Sequence, residues 1–176
     1  GQAASLALDA AGRPHISYFA QTNFDLKYAY FDGSQWRIAT VDSVGNVGEY
    51  SSLALDSSDR PRISYVDVTN GDIKYAWYDG TTWRTEVVDD DIAQSGFYDG
   101  FNTSLALDAQ ERPHISYFDN IRVCLKYARH DGSGWRREIV DSGWVGVFNS
   151  LELDAHGRPH ISYHDLYKND LKYAHA

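Results

Sequence analysis

The chain has 176 residues and a formal net charge of −9. That balance disfavours nucleic acid, whose binding rests on neutralising phosphates with Lys and Arg, and it disfavours an anionic membrane face. Hydrophobic residues make up 43% and aromatic residues 14%, enough for a packed core and too much for a disordered chain; the single cysteine, Cys124, excludes an intrachain disulfide, and no apolar run reaches the length of a membrane helix.

The first unit reads SLALDAAGRPHISYFAQTNFDLKYAYFDGSQWRIATVD over residues 5–42. Residues 5–9 alternate, with Leu6 and Leu8 on one face, and predict a first strand. Residues 9–14, DAAGRP, predict a turn: Asp bonds its own following backbone, Gly tolerates positive φ, and Pro suits the start of a strand. Second, third and fourth strands are predicted at residues 15–19, 26–30 and 36–41, each β-branched, aromatic or alternating. Asp32-Gly33 predicts a type I′ hairpin between the third and fourth. Trp36 follows and is large enough to seal one sheet against the next. The unit returns from Ser52, from Ser104 and from Ser150, and the last copy stops after its third strand. No window carries a helical pattern of adequate length.

Four antiparallel strands per repeat of about 40–50 residues predict a β-propeller blade. The expected fold is an all-β propeller of four-stranded antiparallel blades, in a single domain over residues 1–176. Blades are placed at about residues 5–42, 52–89, 104–141 and 150–176, three full repeats and a fourth without its last strand. The small residues Ser5 and Ala7 put the first strand innermost, where blades crowd the central channel. The incomplete fourth blade leaves an edge open to pairing. The sequence is compatible with a four-bladed ring with a bare edge, with a ring closed by oligomerisation, and with a piece of a longer propeller.

The recurring SLALD, PHISY, LKYA and DG-x-x-W, over essentially the whole length, resemble bacterial β-propeller repeat proteins. That resemblance implies the fold and no settled activity. The DGSQW, DGTTW and DGSGW turns also resemble a shortened Asp-box of sialidase-type propellers, which has one more residue between Asp and Gly. The box is structural in its own families, so this likeness implies fold and not sialidase chemistry.

Residues present in every copy are most economically explained by the fold. Asp9, Asp56, Asp108 and Asp154 are expected to pair with Arg13, Arg60, Arg112 and Arg158 in the same turns. His15, His114 and His160 share one repeat position with Arg62, and a cationic Arg is no metal ligand, so these histidines read as structural. His130, His156, His164 and His175 show no ligand spacing. Lys27, Lys74, Lys126 and Lys172 read as strand lysines that reach a neighbour or a carboxylate. Cys124 reads as a structural thiol. Tyr50, Phe101 and Phe148 recur before the innermost strand and read as structural wedges.

Function is sought where copies differ, on the face that carries the second-to-third loops and the inter-blade loops. Phe97, Tyr98 and Trp144 do not recur, and with Asp99 and Asn120 they form the candidate ligand site. Aromatic rings beside Asp and Asn suit sugars, whose C–H faces stack on rings, and suit protein anchors equally; the alternative is that they cover the core. Asp67, Asp119 and Asp165 end the second strand in three blades, and Asp89, Asp90 and Asp91 open the longest loop. This acidic set is the candidate calcium site, the alternative being a solvated or turn-capping role. The expected function is a non-enzymatic, lectin-like module for carbohydrate or protein, with no cofactor other than calcium, no nucleic acid and no membrane insertion. A structural assembly repeat, self-associating or part of a longer propeller, is the second reading. A glycosidase-like propeller enzyme is the third and would need a unique acid pair or Arg cluster. Low Lys with many Tyr, Trp, Ser and Thr leans the location to the extracellular space or cell surface.

Overall fold

A computed structural model describes residues 2–90, 92 and 102–176. Blade 1 is β1 (Gln2–Leu8), β2 (Pro14–Ala20), β3 (Asp25–Phe31) and β4 (Trp36–Asp42). Blade 2 is β5 (Val47–Leu55), β6 (Pro61–Asp67), β7 (Asp72–Tyr78) and β8 (Trp83–Asp89). Blade 3 is β9 (Thr103–Leu107), β10 (Pro113–Asp119), β11 (Cys124–His130) and β12 (Trp135–Ser142). Blade 4 is β13 (Val145–Leu153), β14 (Pro159–Asp165) and β15 (Asp170–His175). Each is an antiparallel meander in chain order, so three sheets have four strands and the last has three. The first strands β1, β5, β9 and β13 lie side by side as the innermost layer, as the small residues in SLALD require. The arrangement is an open, four-blade β-propeller.

Alternation along the strands gives each blade two apolar faces. The trailing face of blade 1 presents Ala7, Leu26 and Tyr28 to Leu53, Ile63 and Tyr65 on the leading face of blade 2. The same pairing joins Ile73 and Tyr75 to Leu105, Ile115 and Tyr117, and then Leu125 and Tyr127 to Leu151, Ile161 and Tyr163. Neighbouring inner strands share no sheet ladder, and serines bridge them instead. Ser5 Oγ accepts from Leu53 N at 3.0 Å, Ser52 Oγ from Leu105 N at 3.1 Å, and Ser104 Oγ from Leu151 N at 2.9 Å. Ser17 and Ser51 are hydrogen-bonded at 2.8 Å, and Ser64 and Thr103 at 2.7 Å. The serines of SLALD and HISY thus satisfy buried polar groups between blades.

A second device crosses each interface. Tyr65 OH donates to Asp42 Oδ2 at 2.7 Å, and Lys74 Nζ donates to the same oxygen at 2.5 Å. Tyr117 and Lys126 bind Asp89 alike, as Tyr163 and Lys172 bind Asp141. The third-strand lysines therefore reach the aspartate that ends the fourth strand of the preceding blade. Lys27, in the first blade, turns instead to Asp25 at 2.9 Å and to Thr40.

Three local expectations are corrected. The inner strands of blades 1, 2 and 4 begin earlier than predicted, because Ala3, Tyr50 and Phe148 take positive φ (48°, 53° and 51°) and bulge the strand rather than end it. The Asp-Gly hairpins are four-residue turns and not type I′. Asp32 is not among the positive-φ residues, and its Oδ1 accepts Ser34 N and Gln35 N, both at 2.9 Å. Phe148 is no wedge: it is 70% exposed, whereas Tyr50 packs into the core between blades 2 and 3. Tyr50 has blade 3 beside it, and among the described residues nothing packs on Phe148 from a further blade.

The DxxxRP turns form as expected. Asp9 Oδ1 accepts Ala11 N at 2.9 Å and Arg13 N at 2.7 Å, and Oδ2 accepts Arg13 Nε at 2.6 Å. Burial works against the Asp9 charge, but the Arg13 bonds, His15 and the Ala11 amide outweigh it and hold the carboxyl at about 2. The turn amides and Arg84 hold Asp79 at about 2 as well. Both lie below the ordinary 3.8, so the unfolded chain binds more protons between those values. Their contribution is complete above about pH 4 and is lost as pH falls through about 2. A series of urea midpoints from about pH 6 downward is expected to hold level and then drop below about pH 4.

Candidate functional site

The inter-blade grooves open on the face that carries the DxxxRP turns and the Asp-Gly hairpins. Between blades 1 and 2 lies a cavity of about 510 Å³. Its blade 1 wall comes from the trailing side of β2, β3 and β4, where alternation points His15, Tyr28, Tyr30, Arg37 and Ala39 the same way. Its blade 2 wall is Tyr78, Trp83 and the turn residues Asp59, Arg60 and Pro61. Tyr28 meets Trp83 edge-on with centroids 5.3 Å apart, and Tyr30 stacks on both Tyr28 and His15 at 5.7 Å.

Polar groups at the rim are held by their own turns. Arg13 Nε donates to Asp9 at 2.6 Å, Arg37 Nε to Asp32 at 2.7 Å, and Arg60 Nε to Asp56 at 2.8 Å. Each anchor fixes a guanidinium that carries further N–H donors. His15 Nδ1 is hydrogen-bonded to the Tyr28 hydroxyl, and His15 Nε2 lies 3.5 Å from Asp9 Oδ2. Burial, reinforced by Tyr30 and Asp9, pushes the Tyr28 phenol well up, so it stays neutral.

The three grooves differ in size, at about 510, 230 and 690 Å³ in chain order, and the first two differ at a fourth-strand position as well as in volume. Between blades 2 and 3, Trp135 Nε1 donates to Glu86 Oε1 at 2.9 Å and the cavity is about 230 Å³. Ala39 occupies the Glu86 position in the first groove. The Trp83 indole N–H is left without a hydrogen-bond partner among the described residues, and the groove is wider. The groove between blades 3 and 4 has Tyr127, Arg129 and Glu138 but no Trp, because blade 4 has three strands.

Of the expected ligand residues, the described ones, Trp144 and Asn120, lie outside this groove. Phe97, Tyr98, Asp99 and Asp91 fall outside the described residues. Trp144 sits between β12 and β13, 56% exposed at φ 62°. Asn120 N donates to Ile92 O at 2.8 Å in the β10–β11 connection. The structure places neither in the groove. Of the acidic set, Asp67 Oδ1 accepts Asn70 N at 3.1 Å, Asp119 Oδ1 accepts Arg122 N at 2.9 Å, and Asp165 Oδ1 accepts Lys168 N at 2.9 Å. All three are buried, each in its own blade, and Asp89 is engaged with Tyr117 and Lys126. Asp90 is exposed. Among the described residues no three His, Cys, Asp or Glu side chains converge as a metal site. Cys124 is buried, which pushes its thiol up to about 11.

Reading the sequence for loop aromatics passed over Tyr30, Tyr78 and Trp83, which lie in or beside strands. The signal available was the change from Ala39 to Glu86 and Glu138 within otherwise matching fourth strands.

No protein-family model and no curated protein matches the sequence. Solved structures do share the fold. AofleA from Arthrobotrys oligospora superposes with a TM-score of 0.71 at 13% identity, over 99% of this chain and 53% of that one. The SapL1 lectin in complex with alpha methyl fucoside gives 0.59 at 14%, over 98% and 63%. An exo-beta-1,3-galactanase from Clostridium thermocellum gives 0.57 at 11%, over 100% and 45%. The chain spans about half the length of AofleA. At these identities the likeness is one of fold, and that fold serves lectins and glycosidases alike. Among the described residues no helix is long and apolar enough to cross a membrane.

Proposed function

We propose that the chain is a propeller segment that binds carbohydrate in the groove between blades 1 and 2 without transforming it. The observation that carries this reading is the pairing of an aromatic wall (Tyr30, Tyr78, Trp83) with turn-anchored Arg13, Arg37 and Arg60 around a cavity of about 510 Å³. Sugar C–H faces stack on such rings, and sugar hydroxyls accept from guanidinium and indole N–H groups. The volume is that of a small-ligand site. A lectin and a galactanase among proteins of similar fold point the same way. Glycoside hydrolysis needs a carboxyl kept protonated as general acid. In this groove Asp9 is held ionised at about 2, and Asp59 Oδ1 already accepts Ala10 N at 3.1 Å. Those commitments favour binding over catalysis. The reading goes with display outside the cytoplasm, where glycans are exposed.

The test is a glycan panel followed by calorimetry on the sugars retained. Trp83→Ala is expected to weaken binding about tenfold or more, a loss of about 1.4 kcal/mol. Ala39→Glu supplies the missing partner of the indole and should weaken it similarly. Trp144→Ala should leave affinity unchanged. Loss with Trp144→Ala alone would move the site to the other face, and no retention of any sugar would sink the reading. Release of free sugar by the wild-type protein would replace binding with hydrolysis.

A further inference from the structure

We infer that this chain docks head to tail on a second copy of itself, the leading face of blade 1 of one copy covering the trailing face of blade 4 of the other. The observation is independent of the groove. Leu6 is 61% exposed, while its counterparts Leu53, Leu105 and Leu151 are 7%, 8% and 2% exposed beneath the preceding blade. Leu8, Trp36 and Ile38 are exposed around it. At the other end of the arc Leu171 is 82% exposed, against 0%, 1% and 0% for Leu26, Ile73 and Leu125. Tyr173 is exposed where Tyr28, Tyr75 and Tyr127 are buried. Two open apolar faces of this kind mark association surfaces.

What covers such faces is on display three times within the chain. Every buried trailing face is covered by the leading face of the same repeat, Leu or Ile against Leu and Tyr against Ile and Tyr. The partner chemistry is therefore that of blade 1 for blade 4, and the reverse. The two faces lie at opposite ends of the arc, so the chain carries both halves of the contact without joining them itself. The lysine of blade 1, Lys27, takes Asp25 of its own strand at 2.9 Å, where Lys74, Lys126 and Lys172 take an aspartate of the preceding blade. The resulting contact is heterologous, closing into a ring when the rotations add up and growing as a filament otherwise.

The experiment is sedimentation velocity over a concentration series on the wild-type chain and on Leu6→Asp and Leu171→Asp. Both residues are exposed in the single chain, so both variants should match the wild-type circular dichroism spectrum. The wild type is expected to sediment as a dimer or larger. Each variant alone should be a monomer, because each has one spoiled face and the contact needs one of each kind. An equimolar mixture should form a heterodimer and stop there, using the leading face of Leu171→Asp and the trailing face of Leu6→Asp. A wild type monomeric at all concentrations overturns the inference. So does dimerisation of either variant alone, since that is a symmetric contact, or failure of the mixture to pair.

Discussion

Replacing Gly48 with alanine is expected to lower the unfolding temperature by about 8–16 °C, the effect of about 4 kcal/mol in a chain of this size. Gly48 has φ +104°, and a Cβ there would lie 2.6 Å from Leu26 Cα and 3.0 Å from Leu26 N. The obstacle is backbone of the preceding blade, with no flexible side-chain end to yield. Two costs combine: a conformation that L-residues rarely adopt, and separation of blades 1 and 2 at a close backbone approach. Gly146 repeats the arrangement against Leu125, at 2.7 Å from its Cα. Gly12→Ala separates the two costs, because Gly12 has φ +75° with nothing within 4 Å. It is expected to lose only the conformational share, about 1–2 kcal/mol. Equal melting temperatures for Gly12→Ala and Gly48→Ala would show that the inter-blade collision contributes nothing.

Asp42→Ala is expected to cost about 3–5 kcal/mol in urea unfolding, because it strands a cation between blades. Asp42 and Lys74 have side chains 6% and 12% exposed. Removing the carboxylate also orphans the Tyr65 hydroxyl, which donates to it at 2.7 Å. Asp67, 3.8 Å from Lys74, is already taken up by Asn70. Asp141→Ala in the last interface should cost less, about 1 kcal/mol, because Asp141 and Lys172 are 26% and 35% exposed and solvent screens the pair. Burial opposes the Asp42 charge, but Lys74 and Tyr65 outweigh it and hold the carboxyl below its ordinary value. Its contribution is therefore present above the unfolded value and lost as acid titrates the folded group. Adding Lys74→Ala to Asp42→Ala should recover part of the loss. A double variant no more stable than Asp42→Ala would mean that the stranded charge is not the cause.

The blades were legible because their signals are local. Alternation in SLALD and HISY, the DxxxRP turns and the fourfold repeat each lie within one unit, and the strands formed where those residues fall. The type I′ expectation for Asp32-Gly33 failed because the Asp-Gly rule assumes a two-residue loop. It takes no account of an Asp carboxylate that accepts amides further along. The groove was harder to read because its two walls come from different repeats. Nothing in a single strand tells Tyr30 that it will stand across from Trp83. Phe148 was misread for a related reason, since the burial of its counterpart Tyr50 comes from a neighbouring blade and not from its own strand. The reading of Phe97, Tyr98 and Asp99 as a ligand site lies outside the described residues.

The serine bridges have a consequence for how such a chain can change over generations. Ser5, Ser52 and Ser104 each serve only the next inner strand. An extra unit copied into the array would meet both neighbours through contacts already perfected, and a deleted one would leave matching surfaces to rejoin. Each unit also brings half a groove on either side. One exchange of the Ala39 and Glu86 kind can then retune a single groove while every serine bridge in the array stays as it was. Arg13, Arg60 and Trp83 have no such freedom, because they serve turn or core and groove at once.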